Sequence, residues 1–236
     1  MGWESMNSVA FDGIGEEVAT FKLTAGIVKA DEGKVGKIST AADGTVALCA
    51  DGDSFYGPLK TIDAGTNVAA VQRKGFAVLA YTGAPGLGMA KLVANGAGGV
   101  KPAPAATLAT GVVANNNALT WTAKKAGADG NNISITIIDP AGNNGALSVD
   151  VVGRDINVTC ATDGASAIAS TAAEIKTAID ASAAADLVTV ANTGASTGAA
   201  LVVAVAKTDM AGGEDGRELP VVEKDTTAVT ITVDLG

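Results

Sequence analysis

The chain has no histidine, two cysteines, 3% aromatic residues and only 16 Lys and Arg among 236 residues. Each absence excludes something. Without imidazole, a Ser or Cys nucleophile needs a Lys or an amino terminus as its base, and no motif supplies either, so the expectation is a protein that is not an enzyme. Cys49 and Cys160 lie far apart in strand-like runs, which suits buried free thiols better than a disulfide or a metal site. Basic residues are scattered singly or as the pairs Arg73-Lys74 and Lys124-Lys125 in a chain of net charge −9, so no nucleic acid partner is expected. No apolar run reaches the roughly 18 residues of a membrane helix, which argues for no membrane partner. The opening Met1-Gly2-Trp3-Glu4-Ser5 lacks the basic and apolar regions of a signal peptide, so synthesis and retention in the cytoplasm are expected.

What is present is apolar and turn-rich. Hydrophobic residues make up 47% of the chain, chiefly Ala, Val and Ile, alongside 30 glycines. That mixture favours short strands joined by tight turns, hence a mainly β fold with room for one or two small helices. Residues 1–17 carry Trp3, Met6, Val9, Phe11 and Ile14 with neither strand nor helix periodicity and read as an N-terminal arm. Burying one indole is worth about 4–6 kcal/mol, whereas fixing each backbone residue costs about 1–2 kcal/mol. The arm therefore needs strand pairing or a neighbouring subunit to become ordered, and these five residues are the candidate contacts with a neighbour. A return of the arm onto its own barrel is the alternative.

From Val18 to Lys101, seven short apolar runs recur at roughly ten-residue spacing, from Val18–Phe21 to Ala90–Val93, with Asp43-Gly44 as a hairpin turn. This is the pattern of a barrel or sandwich. Lys101-Pro102-Ala103-Pro104-Ala105-Ala106 reads as a stiff linker into a segment with longer, alternating strands. There, residues 132–160 predict a three-stranded meander, and Ile168, Ala172, Ile175 and Ile179 share one helical face, with Thr171 or Ser170 as the N-cap. Leu187–Val190 and Ala200–Val205 read as further strands, and Gly212-Gly213-Glu214-Asp215-Gly216 as the exit. The last twenty residues predict a hairpin, which two strands alone cannot keep stable. The expected architecture is an N-terminal β-barrel-like domain (18–103 plus 214–236), completed by the C-terminal hairpin, with an inserted α+β domain (104–213, meander sheet plus one helix).

Other motifs carry less. Gly86-Leu-Gly88-Met-Ala-Lys91 fits no phosphate-loop spacing, and a strand follows it. Asp43, Asp51, Asp53 and Asp63 are calcium-type ligands without the twelve-residue frame, and turn formation accounts for them. No cofactor is expected.

Four stretches carry a resemblance. Val46–Gly57 (VALCADGDSFYG), Val71–Gly83 (VQRKGFAVLAYTG), Gly88–Lys101 and the tail Gly216–Thr227 (GRELPVVEKDTT) resemble the small β-barrel decoration, or cement, proteins of tailed-bacteriophage heads. In shorter relatives the Gly-Val-Lys stretch runs almost directly into the Gly-Arg-Glu tail. The inserted part, from Gly127 through Ile175, resembles an α+β module of phage virion proteins, tail sheaths included. The resemblance implies a structural protein on the outer surface of an assembled capsid, a major capsid protein as partner, and a homo-oligomer, a trimer near three-fold positions. It brings no catalytic residues. A tail accessory or tube- or sheath-associated protein, and a carbohydrate-binding surface module with Trp121 as its stacking face, are the competing expectations.

Overall fold

A computed structural model describes residues 15–236, so Trp3, Met6, Val9, Phe11 and Ile14 lie outside the described residues. The described chain is mainly β, with seventeen strands and one α-helix. In order these are β1 (Glu17–Leu23), β2 (Val35–Ile38), β3 (Thr45–Leu48), β4 (Gly57–Asp63), β5 (Val68–Lys74), β6 (Phe76–Ala80), β7 (Gly88–Ala94), β8 (Val100–Pro102), β9 (Ala105–Thr110), β10 (Leu119–Ala126), β11 (Ser134–Ile138), β12 (Ser148–Val152), β13 (Asp155–Thr159), α1 (Ala172–Asp180), β14 (Val188–Asn192), β15 (Val205–Asp209), β16 (Arg217–Asp225) and β17 (Thr230–Asp234). The chain divides into two compact units, one running up to Ala103 and resuming at Asp215–Gly236, the other Pro104–Glu214.

In the first unit β1-β3-β2-β4-β5 form a closed barrel. Closure is made by β1, which pairs antiparallel with β5 and parallel with β3 through Lys22↔Thr45 and Leu23↔Val46. Alternation along the strands sends Leu23, Val46, Leu59, Ile62 and Val71 into the interior. Small residues set the tightest approach: a Cβ on Gly57 would lie 1.8 Å from the Gln72 carbonyl oxygen, so only glycine lets β4 meet β5 there. The barrel shuts without the C-terminal hairpin. β16 and β17 instead complete a second, five-stranded sheet of order β6-β17-β16-β7-β8. Its core of Leu79, Leu92, Val100, Leu219, Val221, Ile231 and Val233 also takes in Val35 and Phe55 from the barrel side of the same unit. The hairpin turn is held by Asp225, whose Oδ1 accepts from the Thr227 and Ala228 amides at 2.8 and 3.0 Å.

One strand of this sheet bears on how the chain is organised. β7 is flanked on one side by β8 and on the other by β16, and Leu92 is opposite both Pro102 and Arg217. The chain thus leaves the first unit and re-enters it on the two sides of one strand. A Cβ added to Gly216 would lie 3.1 Å from the Ala103 Cβ, so the two crossing points nearly touch.

The second unit holds a three-stranded sheet, β14-β10-β9, and a four-stranded sheet, β12-β13-β11-β15. Their shared core contains Trp121, Leu119, Ile135, Ile156, Val158 and Met210, covered by Ile175 and Ile179 of α1. Thr171 is the N-cap: its amide donates to Glu174 Oε2 at 2.8 Å, and its Oγ1 accepts from the Glu174 amide at 3.3 Å. Ser170 is used elsewhere, accepting from the Ala161 amide. Because the cap sits at Thr171, Ile168 precedes the helix and packs on the core from a bridge with Thr162.

Three expectations about this unit and the segment leading into it need correction. Residues 132–160 are not a meander, because β13 lies between β11 and β12 and runs parallel to β11, with Ile135 opposite Ile156. The 139–147 connection cannot form a tight hairpin, since its backbone is bound elsewhere: the Asn144 amide donates to the Asp163 carbonyl and the Gly145 amide to Thr162 Oγ1. Only the turn at Gly153 makes a hairpin, joining β12 to β13. Second, the Ala200–Val205 run is not a strand. The Leu201 carbonyl accepts from Asn117 Nδ2 and the Val202 amide donates to the Ser170 carbonyl, so the strand begins only at Val205. Third, most of the expected Pro/Ala linker is strand, since Val100–Pro102 is β8 and Ala105 opens β9, which pairs with β10 through Leu108↔Trp121. Proline is tolerated in β8 because that strand is an edge of its sheet.

Candidate functional site

The residues singled out as contacts, Trp3, Met6, Val9, Phe11 and Ile14, precede the described chain, which enters at Gly15. The entry point is held by charge. Glu16 lies 3.6 Å from Lys60 Nζ, and Glu17 pairs with both Arg73 and Lys74, the latter at 3.2 Å. Arg73 and Lys74 end β5, and Gln72 shapes the turn after them: its fully buried Nε2 donates to the Lys74 carbonyl at 3.1 Å and to the Phe76 carbonyl at 2.9 Å.

Beside that turn an open cleft of about 270 Å³ is lined by Phe55, Tyr56, Arg73, Lys74 and Arg217. Arg217 opens β16 and donates to two backbone carbonyls, Tyr56 at 2.7 Å and Leu235. Among the described residues no carboxylate pairs with it. Partial burial lowers its pKa from the ordinary arginine value, although a guanidinium remains charged at any physiological pH. Among the described residues the cleft therefore holds three cations against the single carboxylate of Glu17. Sequence reading missed this grouping, because Arg73 and Arg217 come together only through the fold.

Among the described residues, every carboxylate whose pKa departs from the usual value departs downwards. Asp31 is held down by the Lys34 ammonium at 2.7 Å and by the Val28 amide. Burial raises Asp53, but Lys37 and the Ala50 amide, each at 2.6 Å, outweigh it. Asp63 is lowered by Thr66 Oγ1 and the Gly65 amide, and Glu174 by the Thr171 cap. General acid catalysis at neutrality needs the opposite shift. Both thiols are free and buried. Burial, helped by Asp53, pushes Cys49 up to about 12, and burial also raises Cys160, so neither is a thiolate at neutrality.

Asp51 pairs with Lys101 and Asp53 with Lys37, and among the described residues no three Cys, Asp or Glu side chains group as a metal site. Among them, too, no helix is long and apolar enough to cross a membrane. Trp121 is fully buried, with Nε1 donating to Thr110 Oγ1 at 3.0 Å, so it presents no stacking face to a sugar. Among the described residues the most exposed large apolar side chains of the first unit, Leu87 and Met89, lie where β7 begins. No family model, no curated protein and no solved structure matches this chain.

Proposed function

We propose that this chain is a structural virion protein, not an enzyme, that binds the outer surface of an assembled phage capsid and stabilises it. In this reading it is made in the host bacterial cytoplasm, works as a homotrimer, and has the major capsid protein as its partner. The observation that carries the reading is the pairing of β8 and β16 on either side of β7. The stretches that resemble capsid decoration proteins, Gly88–Lys101 and Gly216–Thr227, are thereby neighbours in one sheet although about 110 residues separate them. A short relative that omits the second unit needs only to join these two strand ends.

Surface contact suits the chemistry. A stable contact buries about 800 Å² per partner, and a trimer on a repeating lattice gains avidity, so individually modest patches suffice. Leu87 and Met89, 68% and 65% exposed, offer apolar area for such a patch. The arm residues Trp3 and Phe11 can add to it by pairing with a neighbour's sheet edge.

The test is to mix purified protein with undecorated shells, then measure co-sedimentation and the temperature at which the shells rupture. Saturable binding with a raised rupture temperature is expected, and deletion of residues 2–14 weakens it while the free protein stays folded. Binding to tails, or to neither structure, overturns the proposal.

A further inference from the structure

We infer that the open cleft lined by Phe55, Tyr56, Arg73, Lys74 and Arg217 is a receptor for a carboxylate side chain carried on an acidic segment of a partner protein. That the partner is a protein rests on the capsid-binding reading above; that the group is a carboxylate rests on the cleft itself. A guanidinium carries five N–H donors. Arg217 gives one to the Tyr56 carbonyl at 2.7 Å and one to the Leu235 carbonyl, which leaves three unspent. It is half-buried, and among the described residues no carboxylate is within ion-pair distance of it. A cation taken partly out of water without a counter-charge is destabilising, and an incoming carboxylate offsets that cost.

Four lysines of the same unit are matched one to one. Lys29, Lys34, Lys37 and Lys91 face Glu32, Asp31, Asp53 and Asp215. Arg73 and Lys74 instead share a single carboxylate, Glu17, so with Arg217 the three cations of the cleft are two negative charges short among the described residues. In a protein of net charge −9, this is where an acidic segment escapes repulsion.

The donors are also fixed in advance. The two carbonyl bonds of Arg217 tie the start of β16 to the residue before β4 and the residue after β17. The Tyr56 ring is set edge-on to Phe21, with centroids 5.7 Å apart, and among the described residues its hydroxyl makes no hydrogen bond. A carboxylate entering the cleft therefore meets donors that need little further ordering. Size selects for a side chain. The cleft's volume of about 270 Å³ falls below the roughly 300–1,000 Å³ of pockets that enclose a whole small-molecule ligand.

Two measurements test the proposal. The first needs no shell: isotope-labelled protein is titrated with the peptide acetyl-Gly-Glu-Gly-Glu-Gly-amide, with its Gln counterpart and with inorganic phosphate, and amide resonances are followed. The Glu peptide is expected to shift Tyr56, Gly57, Lys74, Gly75 and Leu235, to bind at least about tenfold more tightly than the Gln peptide, and to be released in about 1 M NaCl, where the screening length is ~3 Å. Arg217→Gln should weaken it about tenfold and Arg73→Gln several-fold. Lys29→Gln, the same change of charge at a lysine outside the cleft, should leave it unchanged. Arg217 also bonds backbone, so circular dichroism must show that its variant is folded; the exposed Arg73 variant keeps the test decisive if it is not. The second measurement repeats co-sedimentation with shells, where Arg73→Gln should bind several-fold more weakly than Lys29→Gln. An equal response of these two variants in either assay means that charge acts through the whole surface, and overturns the proposal. So do shifts that lie elsewhere, and phosphate binding tighter than that of the Glu peptide, which makes the cleft a phosphate site. Shells that bind no form of the protein sink the capsid reading, and the peptide titration then decides the carboxylate site alone.

Discussion

Replacing Pro104–Glu214 by a linker of about three residues should leave the first unit folded with nearly unchanged stability. β8 and β16 lie one on each side of β7. Two inter-strand steps of ~4.8 Å separate their backbones by roughly 10 Å, which about three extended residues span. Ala103 and Gly216 come closer still: a Cβ added to Gly216 would lie 3.1 Å from the Ala103 Cβ. In the intact chain the second unit has its own ends pinned: the Thr107 amide donates to the Ala211 carbonyl at 2.7 Å and the Ala211 amide to Thr107 at 3.0 Å. A folded insert with paired ends therefore behaves as a short loop. Exchanging it for a short linker should change the unfolding free energy of the first unit by less than about 1 kcal/mol.

An unfolded insert of the same length is different. Going from about three to about 110 residues is roughly five doublings, each costing ~0.6 kcal/mol in closure entropy, or about 3 kcal/mol in all. Urea unfolding followed by circular dichroism and tyrosine fluorescence measures this directly, since Tyr56 and Tyr81 both belong to the first unit. A chain without a cooperative transition, or one that loses more than about 3 kcal/mol, refutes the reasoning. It would mean that the register of β8 and β16 on β7 depends on the second unit.

Trp121→Ala should cost the second unit about 3–5 kcal/mol, because a fully buried indole leaves a cavity and Thr110 Oγ1 loses its donor. Calorimetry of the full chain should show the second unit melting earlier, while the tyrosine signal of the first unit falls by no more than the loop term above. Acid should destabilise the chain with a definite sign. Asp31, Asp53 and Glu174 have folded pKa values below their ordinary values of 3.8, 3.8 and 4.5, so their contribution is complete above about pH 5. It is lost as pH falls through the lowered folded values. The urea midpoint should decline below about pH 4, and Asp31→Asn should flatten that decline; an unchanged slope refutes the assignment.

Much of the strand inventory was legible because alternation and turn chemistry are local. The apolar runs Val18–Phe21, Val35–Ile38 and Phe76–Tyr81 announced β1, β2 and β6, the last one residue too long, and Asp225 with its following threonines announced the last hairpin. The cap of α1 was readable from Thr171 and Glu174 for the same reason. The candidate site was not legible. Arg73-Lys74 looked like an isolated basic pair and Arg217 like one more residue of the tail, since nothing near either in sequence refers to the other.

The sequence by itself determined that the chain is mainly β, where most strands lie, and that it has no histidine with which to do chemistry. Only the tertiary structure decided that β13 runs parallel to β11, that β1 closes the barrel against β3, and that the terminal hairpin joins β6 and β7. The reason is physical. A strand declares itself through side chains two residues apart, whereas its partner is chosen by which distant apolar faces can be buried together with every backbone hydrogen bond satisfied.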